Sequence, residues 1–352
     1  MKQIDVIFVT PLPAFYKVNL LNRLCEKKRV FVIFLYEMNS RRNKDFVSQG
    51  IKFDYVILSK LQGSRLIYLW RLLKRDYSYR SLILSGWDSF YLWFLAFLSP
   101  KSKNAVVVES TYYESSIRGL RGLLKRFFLK RIYLAYASGE PHIELLKLLS
   151  FSGKIIKTKG VGVFNYVNQP SFVYKTQIRN FLYVGRLSEE KNLKLLIDVF
   201  NSLPDLKLNI IGFGPQEEVL KKMASFNISF LGAISNDKIF HYYQSNDVFV
   251  LPSKSEPWGL VIEEAMNNGL PVIVSNKVGC SMDLVAEDVN GIRFDLDDRN
   301  SLKNAVLKIC NPIYYNVLAK NISCYNFEER SQKYVASFFY MEEIWGLVFQ
   351  NG

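Results

Sequence analysis

Short apolar runs rich in β-forming residues alternate with stretches of helical spacing along nearly the whole chain, and this alternation restricts the fold more than any other feature. Residues 4–9 read as a buried strand ending in the turn residues Thr10-Pro11-Leu12-Pro13, and residues 18–25 then place Leu20, Leu21 and Leu24 on one helical face. Further strands are expected at 30–35, 55–58, 81–84, 105–108 and 135–138, with helices at 66–73, 90–98 and 120–134. Strands separated by helices pair in parallel, and their sheet is covered on both faces. Residues 165–178 break the pattern, because they lack periodicity and contain Pro170.

The alternation then restarts. Strands are expected at 180–184, 206–211, 228–231, 248–251 and 272–274, with 284–285 and 291–294 completing the set. Helices are expected at 193–203, 216–224, 237–244, 260–268 and 301–310, and one or two more over 327–348. The expected fold is α/β, with two Rossmann-like domains facing each other across a cleft. The first covers residues 1–168 and the second 176–326, and the C-terminal helical stretch 327–352 is expected to pack back on the first. In such sheets ligands bind beyond the carboxyl ends of the strands.

Composition narrows the classes. Apolar residues form 49% of the chain and charged residues 22%, which supports a packed core rather than disorder. The net charge is +14 and it is unevenly placed. Residues 1–160 hold 28 Lys and Arg against 11 Asp and Glu, whereas residues 161–352 hold 18 against 21. The first half therefore suits a polyanionic partner: an anionic membrane surface, a phosphorylated substrate or a nucleic acid. Cys25, Cys280, Cys310 and Cys324 lack metal-ligand spacing, and His142 and His241 complete no cluster, so reduced thiols and no metal site are expected. The N-terminus does not read as a signal peptide, and the longest apolar run, 89–98, is too short to span a bilayer. The expected location is cytoplasmic, with peripheral attachment to the inner face of the cytoplasmic membrane.

Three segments carry candidate chemistry, each where a strand meets a helix. The first is Leu251 to Met266, in which a polar loop with Glu256 leads through Pro257-Trp258-Gly259 into a helix holding Leu260, Val261 and Glu264. A helix N-terminus with free N–H groups suits a phosphate, and carboxylates accept hydrogen bonds from paired sugar hydroxyls. A capped helix in which Glu256 serves the dipole satisfies the same pattern. The second is Tyr183-Val184-Gly185-Arg186 with Lys191-Asn192, in which two cations on one loop suit a diphosphate. Solvated surface charge is the alternative there. The third, Gly212-Phe213-Gly214-Pro215, is a glycine turn that a tight strand-to-helix connection explains equally well.

Together these segments resemble the retaining, metal-independent GT-B glycosyltransferases, in particular glycosyltransferase family 4. The motifs that match are Glu256 and Glu264, Gly185-Arg186-Leu187 with Lys191, and Gly212 to Pro215. Ile273-Val274-Ser275, Gly279, Asp283 and Asn290-Gly291 match the tail of the donor domain. The resemblance is dense over 180–294 and loose before it. It implies transfer of a sugar from a UDP- or GDP-linked donor to a hydroxyl of a glycan or lipid-linked oligosaccharide, as in bacterial surface polysaccharide synthesis. Anomeric configuration would be retained, and neither cofactor nor metal would be required. Arg186 and Lys191 would neutralise the pyrophosphate, Glu264 would hold the ribose hydroxyls, and Glu256 would hold the transferred sugar, helped by backbone N–H groups from Trp258 to Val261.

Two departures stand out in the first half. The loop over residues 10–17 lacks the family's glycines, so Lys17 is the group offered there for acceptor or phosphate contacts, a solvated lysine being the alternative. Where many members carry a histidine, this chain reads Glu109-Ser110-Thr111, which makes Glu109 a candidate catalytic residue. His142 is expected as a helix cap or surface residue. Residues 118–131 pattern as a basic amphipathic helix suited to an anionic bilayer, although a core helix with a solvated basic face reads the same way. The competing functions are a nucleotide-sugar epimerase or hydrolase of the same fold, and a basic nucleic-acid-binding protein, against which stands the absence of any recognised nucleic-acid module.

Overall fold

The computed structural model describes residues 1–37 and 50–339, which divide into two compact units. The first comprises Met1–Phe164 and the chain from Glu329 onward; the second is Asn165–Glu328. The part of the expected helical stretch beyond residue 339 lies outside the described residues.

The first unit is built on a seven-stranded sheet. Its strands are β1 (Lys2–Thr10), β2 (Val30–Phe34), β3 (Asp54–Ile57), β4 (Tyr77–Ser85), β5 (Asn104–Val108), β6 (Leu134–Ala137) and β7 (Lys154–Lys157). All pair in parallel, in the order β3-β2-β1-β4-β5-β6-β7. Helices α1 (Phe15–Cys25), α2 (Arg65–Arg71), α3 (Phe90–Leu98), α4 (Gly119–Leu129) and α5 (Glu140–Leu148) connect them. Central strands β1, β5 and β6 are buried along most or all of their length, as a sheet covered on both faces requires. β7 escapes the apolar-run criterion because Lys154-Ile155-Ile156-Lys157 is an edge strand with charged ends, the usual guard against edge pairing.

The second unit carries six parallel strands in the order β10-β9-β8-β11-β12-β13. They are β8 (Asn180–Val184), β9 (Lys207–Ile211), β10 (Ile228–Gly232), β11 (Val248–Leu251), β12 (Val272–Ser275) and β13 (Gly291–Phe294). Its helices are α6 (Leu193–Asn201), α7 (Glu217–Met223), α8 (Ile239–Ser245), α9 (Leu260–Asn267), α10 (Ser281–Leu284), α11 (Ser301–Ile309) and α12 (Pro312–Ser323), and α13 (Phe327–Ser337) leads from it back to the first unit. Two readings of the sequence need correction. Leu284 closes the short helix α10 and Val285 follows it, so neither lies in a strand. The apolar pattern does not announce α12, yet Asn311 caps its start by accepting from the Ile313 and Tyr314 N–H groups, and Pro312 stands at its first position.

In both sheets the strand order reverses beside the strand that comes first, between β1 and β4 and between β8 and β11. Loops leaving the two strands at such a point diverge and open a crevice at the carboxyl edge. The residues from α13 onward return to the first unit. There the Phe338 ring stacks on Tyr136 at 4.5 Å, and Arg23 Nη1 donates to Ser331 Oγ at 3.1 Å.

Candidate functional site

In the second unit the loops after β8 and β11 meet at the switch point. Lys254 N donates to the Glu190 carbonyl at 2.8 Å, which ties the two loops together by their backbones. Across this tie the Lys191 ammonium forms an ion pair with Glu256 Oε2, both side chains being largely withdrawn from solvent. Asn192 sits in the left-handed region at φ 58° and turns the chain straight into α6, which leaves Lys191 on the loop. The Arg186 guanidinium is exposed and has no ion pair among the described residues, while its carbonyl accepts from the buried Tyr183 hydroxyl at 2.9 Å.

The glycines in these loops are required by close backbone approach. A Cβ on Gly212 would lie 1.8 Å from the Gly185 carbonyl oxygen, and one on Gly214 would lie 2.4 Å from that of Leu187. Leu187 N donates to the Phe213 carbonyl at 3.0 Å, and Gly185 N to that of Ile211 at 3.0 Å. The two glycine-bearing loops therefore run side by side as a continuation of the β8–β9 pairing.

The segment 256–259 is zipped to 278–280. Gly279 N donates to the Glu256 carbonyl at 2.8 Å and Cys280 N to that of Trp258 at 3.0 Å. A Cβ on Gly279 would fall 1.8 Å from the Pro257 carbonyl oxygen. Gly259 then takes φ 99°, a conformation natural to glycine, and Leu260 and Val261 open α9 with their N–H groups at its first turn. The Trp258 indole is not available to stack on a ligand: it is buried, and its Nε1 donates to Glu263 at 3.0 Å.

Glu264 stands one turn into α9, half-buried. The Tyr243 hydroxyl, from α8, donates to its Oε2 at 3.1 Å. Burial raises the Glu264 carboxyl to about 7, with a smaller push from the neighbouring Glu263 and against the pull of the Tyr243 hydrogen bond. Tyr243, Glu263, Gly279 as a packing requirement and the Glu190–Lys254 tie escape a reading of local pattern. Each acts across elements distant in sequence, and only the zipper of 256–258 with 278–280 had a signal, Gly279 itself.

The other candidates lie in the first unit. Lys17, in the first turn of α1, is buried and forms an ion pair with Glu109, which follows β5. It is therefore not a solvated lysine. His142 is likewise no surface residue: it is fully buried at the start of α5, with its Nε2 3.1 Å from the Glu109 carbonyl oxygen. Among the described residues no three of His, Cys, Asp or Glu gather as metal ligands would, and no helix is long and apolar enough to cross a membrane.

Comparison with known proteins converges on the second unit. Residues 170–321 match the family model described as glycosyl transferases group 1. A sulfoquinovosyl transferase of Arabidopsis thaliana is 38% identical over 129 residues, which cover 36% of this chain and 25% of that protein, so the chain spans a quarter of that relative. Two solved structures share the fold over nearly the whole chain. A lipopolysaccharide outer core galactosyltransferase, WaaB, has a TM-score of 0.69 at 16% identity, covering 96% of this chain and 99% of that one. HepE of Anabaena, in complex with UDP and glucose, has a TM-score of 0.66 at 16% identity, covering 99% of this chain and 100% of that one. Both units thus have the two-domain, parallel-sheet GT-B architecture as their structural counterpart.

Proposed function

We propose that this chain is a glycosyltransferase of the group whose family model its residues 170–321 match, that its second unit binds a UDP- or GDP-linked sugar, and that the sugar passes to a hydroxyl of a glycan or lipid-linked oligosaccharide. The observation that carries this reading is the pairing of Lys191 with Glu256 at the β8–β11 switch point. A cation and a carboxylate held there suit the two halves of such a donor. Arg186 and Lys191 meet the pyrophosphate, Glu256 takes hydroxyls of the transferred sugar with N–H groups of the first turn of α9, and Glu264 takes the ribose hydroxyls.

In this reading the bond from the anomeric carbon to the diphosphate oxygen breaks, and its electron pair stays on the diphosphate. The acceptor oxygen bonds to the anomeric carbon from the face that the diphosphate leaves, so configuration is retained. The acceptor's proton passes to the departing phosphate. Charge accumulates on the leaving group, where two cations neutralise it without a metal ion, and this stabilisation is the main catalytic contribution. The named activities of the relatives, together with UDP and glucose bound in HepE, support the donor class. WaaB's part in lipopolysaccharide supports surface polysaccharide synthesis as the setting. The positive charge of residues 1–160 supports peripheral attachment to an anionic membrane on its cytoplasmic side.

The test is incubation with a panel of UDP- and GDP-sugars, with and without a polyprenyl-diphosphate-linked glycan. The expected result is nucleoside diphosphate release that depends on acceptor and is unaffected by EDTA. Free sugar released without acceptor would make the protein a hydrolase, and interconversion of nucleotide sugars would make it an epimerase; either result refutes the transferase reading.

A further inference from the structure

α4 turns an apolar stripe to solvent. Leu120, Leu123, Leu124 and Phe127 follow one another at helical spacing of three, one and three residues, and they are 72%, 60%, 46% and 51% exposed. The buried side of the same helix is made by Gly122, Phe128 and Leu129. The stripe continues onto α3: the exposed Phe97 ring lies 5.2 Å from Phe127, and Trp93 stacks on Phe97 at 6.4 Å with the planes within 7°. A contiguous exposed apolar patch on a folded unit marks a surface that something covers.

Cations flank the stripe. Arg118, Arg121 and Lys130 are exposed and without an ion pair among the described residues. Arg126 donates to the Leu148 carbonyl, and Arg131 donates to the carbonyls of Ala96, Phe97 and Ser99 and lies over the Phe97 ring, 5.4 Å from its centroid. Lys125 donates to Ser115 Oγ at 2.6 Å and to the Ser116 carbonyl at 2.8 Å. A second copy of the same face would bring these like charges together, so charge complementarity argues against self-association through it and for a polyanionic plane. A helix face that is apolar at its centre and cationic at its edges matches the interface of an anionic bilayer, where leucine and phenylalanine enter the acyl boundary and arginine meets lipid phosphate.

We propose that the α4 stripe of Leu120, Leu123, Leu124 and Phe127, with Phe97 of α3, is the surface by which this chain docks on an anionic bilayer. A cavity of about 700 Å³ lies beside it, between the α3 N-terminus and α4, and Phe90, Arg121 and Leu124 belong both to its wall and to the exposed face. Docking through α4 therefore sets this cavity at the lipid surface, beside Trp87 and Trp93, where an acceptor embedded in the bilayer presents its headgroup.

This rests on the membrane part of the reading above and not on its transferase part, so the test uses vesicles without donor or acceptor. The full chain is co-sedimented with vesicles of phosphatidylcholine alone and of phosphatidylcholine mixed with phosphatidylglycerol. The expected result is binding to the anionic vesicles only. Leu123→Gln/Phe127→Gln should lower the partition coefficient by about tenfold or more. Arg118→Gln/Arg121→Gln should lower it about fivefold per charge. Both variants change exposed residues, and an unchanged melting temperature verifies their fold. Equal binding of wild type to both vesicles, or to neither, overturns the membrane reading and this proposal together. Wild-type preference for anionic vesicles that the Leu123/Phe127 variant keeps overturns the α4 assignment alone. A concentration-dependent dimer that this variant abolishes, with no vesicle binding, assigns the stripe to a second copy and also overturns the proposal.

Discussion

Glu264 carries two opposite pH dependences, and their signs follow from its surroundings. Burial holds its carboxyl at about 7, although the Tyr243 hydroxyl donates to it. An ionised carboxylate accepts from both hydroxyls of a ribose, whereas a protonated one has given up part of that capacity. Affinity for a nucleotide sugar should therefore stand at half its alkaline value near pH 7, the Glu264 value, and fall about tenfold per pH unit below it until the acid plateau is reached. Hydrogen bonds to a charged group are worth about 1.5–3 kcal/mol, so the two plateaus should differ by roughly 10- to 150-fold. Stability should move the other way. The folded value stands above the ordinary 4.5, so the folded chain holds the proton more tightly. Its contribution is fully present below 4.5 and is lost as pH rises through about 7. The loss is at most about 3 kcal/mol. Titration calorimetry with an intact nucleotide sugar measures the first slope. Free nucleoside diphosphate is a poor probe because its own terminal phosphate titrates at about 6. Thermal melting of the free protein across the same range measures the second slope. Glu264→Gln should abolish both slopes and bind at pH 8 as weakly as the wild type does on its acid plateau. A flat wild-type affinity, or a Gln variant that keeps the slope, refutes the assignment of Glu264 to the ribose.

Four further outcomes follow from the same geometry. Tyr243→Phe removes the hydrogen bond that opposes burial, so the midpoint of donor binding should move to higher pH in the same calorimetric series, with weaker binding at neutral pH. Arg186→Ala and Lys191→Ala should each reduce turnover by roughly two orders of magnitude, as loss of a transition-state donor does, in a steady-state assay at saturating donor. Gly279→Ala places a methyl group 1.8 Å from the Pro257 carbonyl oxygen and should unzip the loop ahead of α9, which a drop in melting temperature together with lost donor binding would report. Glu109→Gln strands the buried Lys17 ammonium and should destabilise the first unit by roughly 3 kcal/mol in denaturant titration, whereas an unchanged midpoint would show that the pair is dispensable.

The α/β class and the parallel sheets were legible because their signal is local. Residues 4–9, 105–108 and 248–251 are apolar runs short enough to be strands, and the helical spacing between them forces parallel crossovers. What escaped was either weakly apolar or set from afar. β7 has only two apolar residues between lysines, and α12 is announced by its cap more than by its face. Leu284-Val285 resembles a strand fragment because two apolar neighbours carry no period, and its backbone instead closes and follows the turn of α10.

By itself the sequence determined which side chains stand at strand ends: Arg186 and Lys191 after β8, Glu256 and Glu264 around the start of α9, Lys17 and Glu109 in the first unit. It could not say which of them meet. Tertiary structure pairs Lys191 with Glu256 across 65 positions and Lys17 with Glu109 across 92, the first at the β8–β11 switch point and the second with its lysine buried. It also brings Tyr243 under Glu264 and shifts that carboxyl toward neutrality. The physical reason is range. Hydrophobic period and turn chemistry act over a few residues and survive in the linear string, whereas desolvation and Coulomb interaction depend on what surrounds a group in space, which is decided only when the sheet sets its strand order.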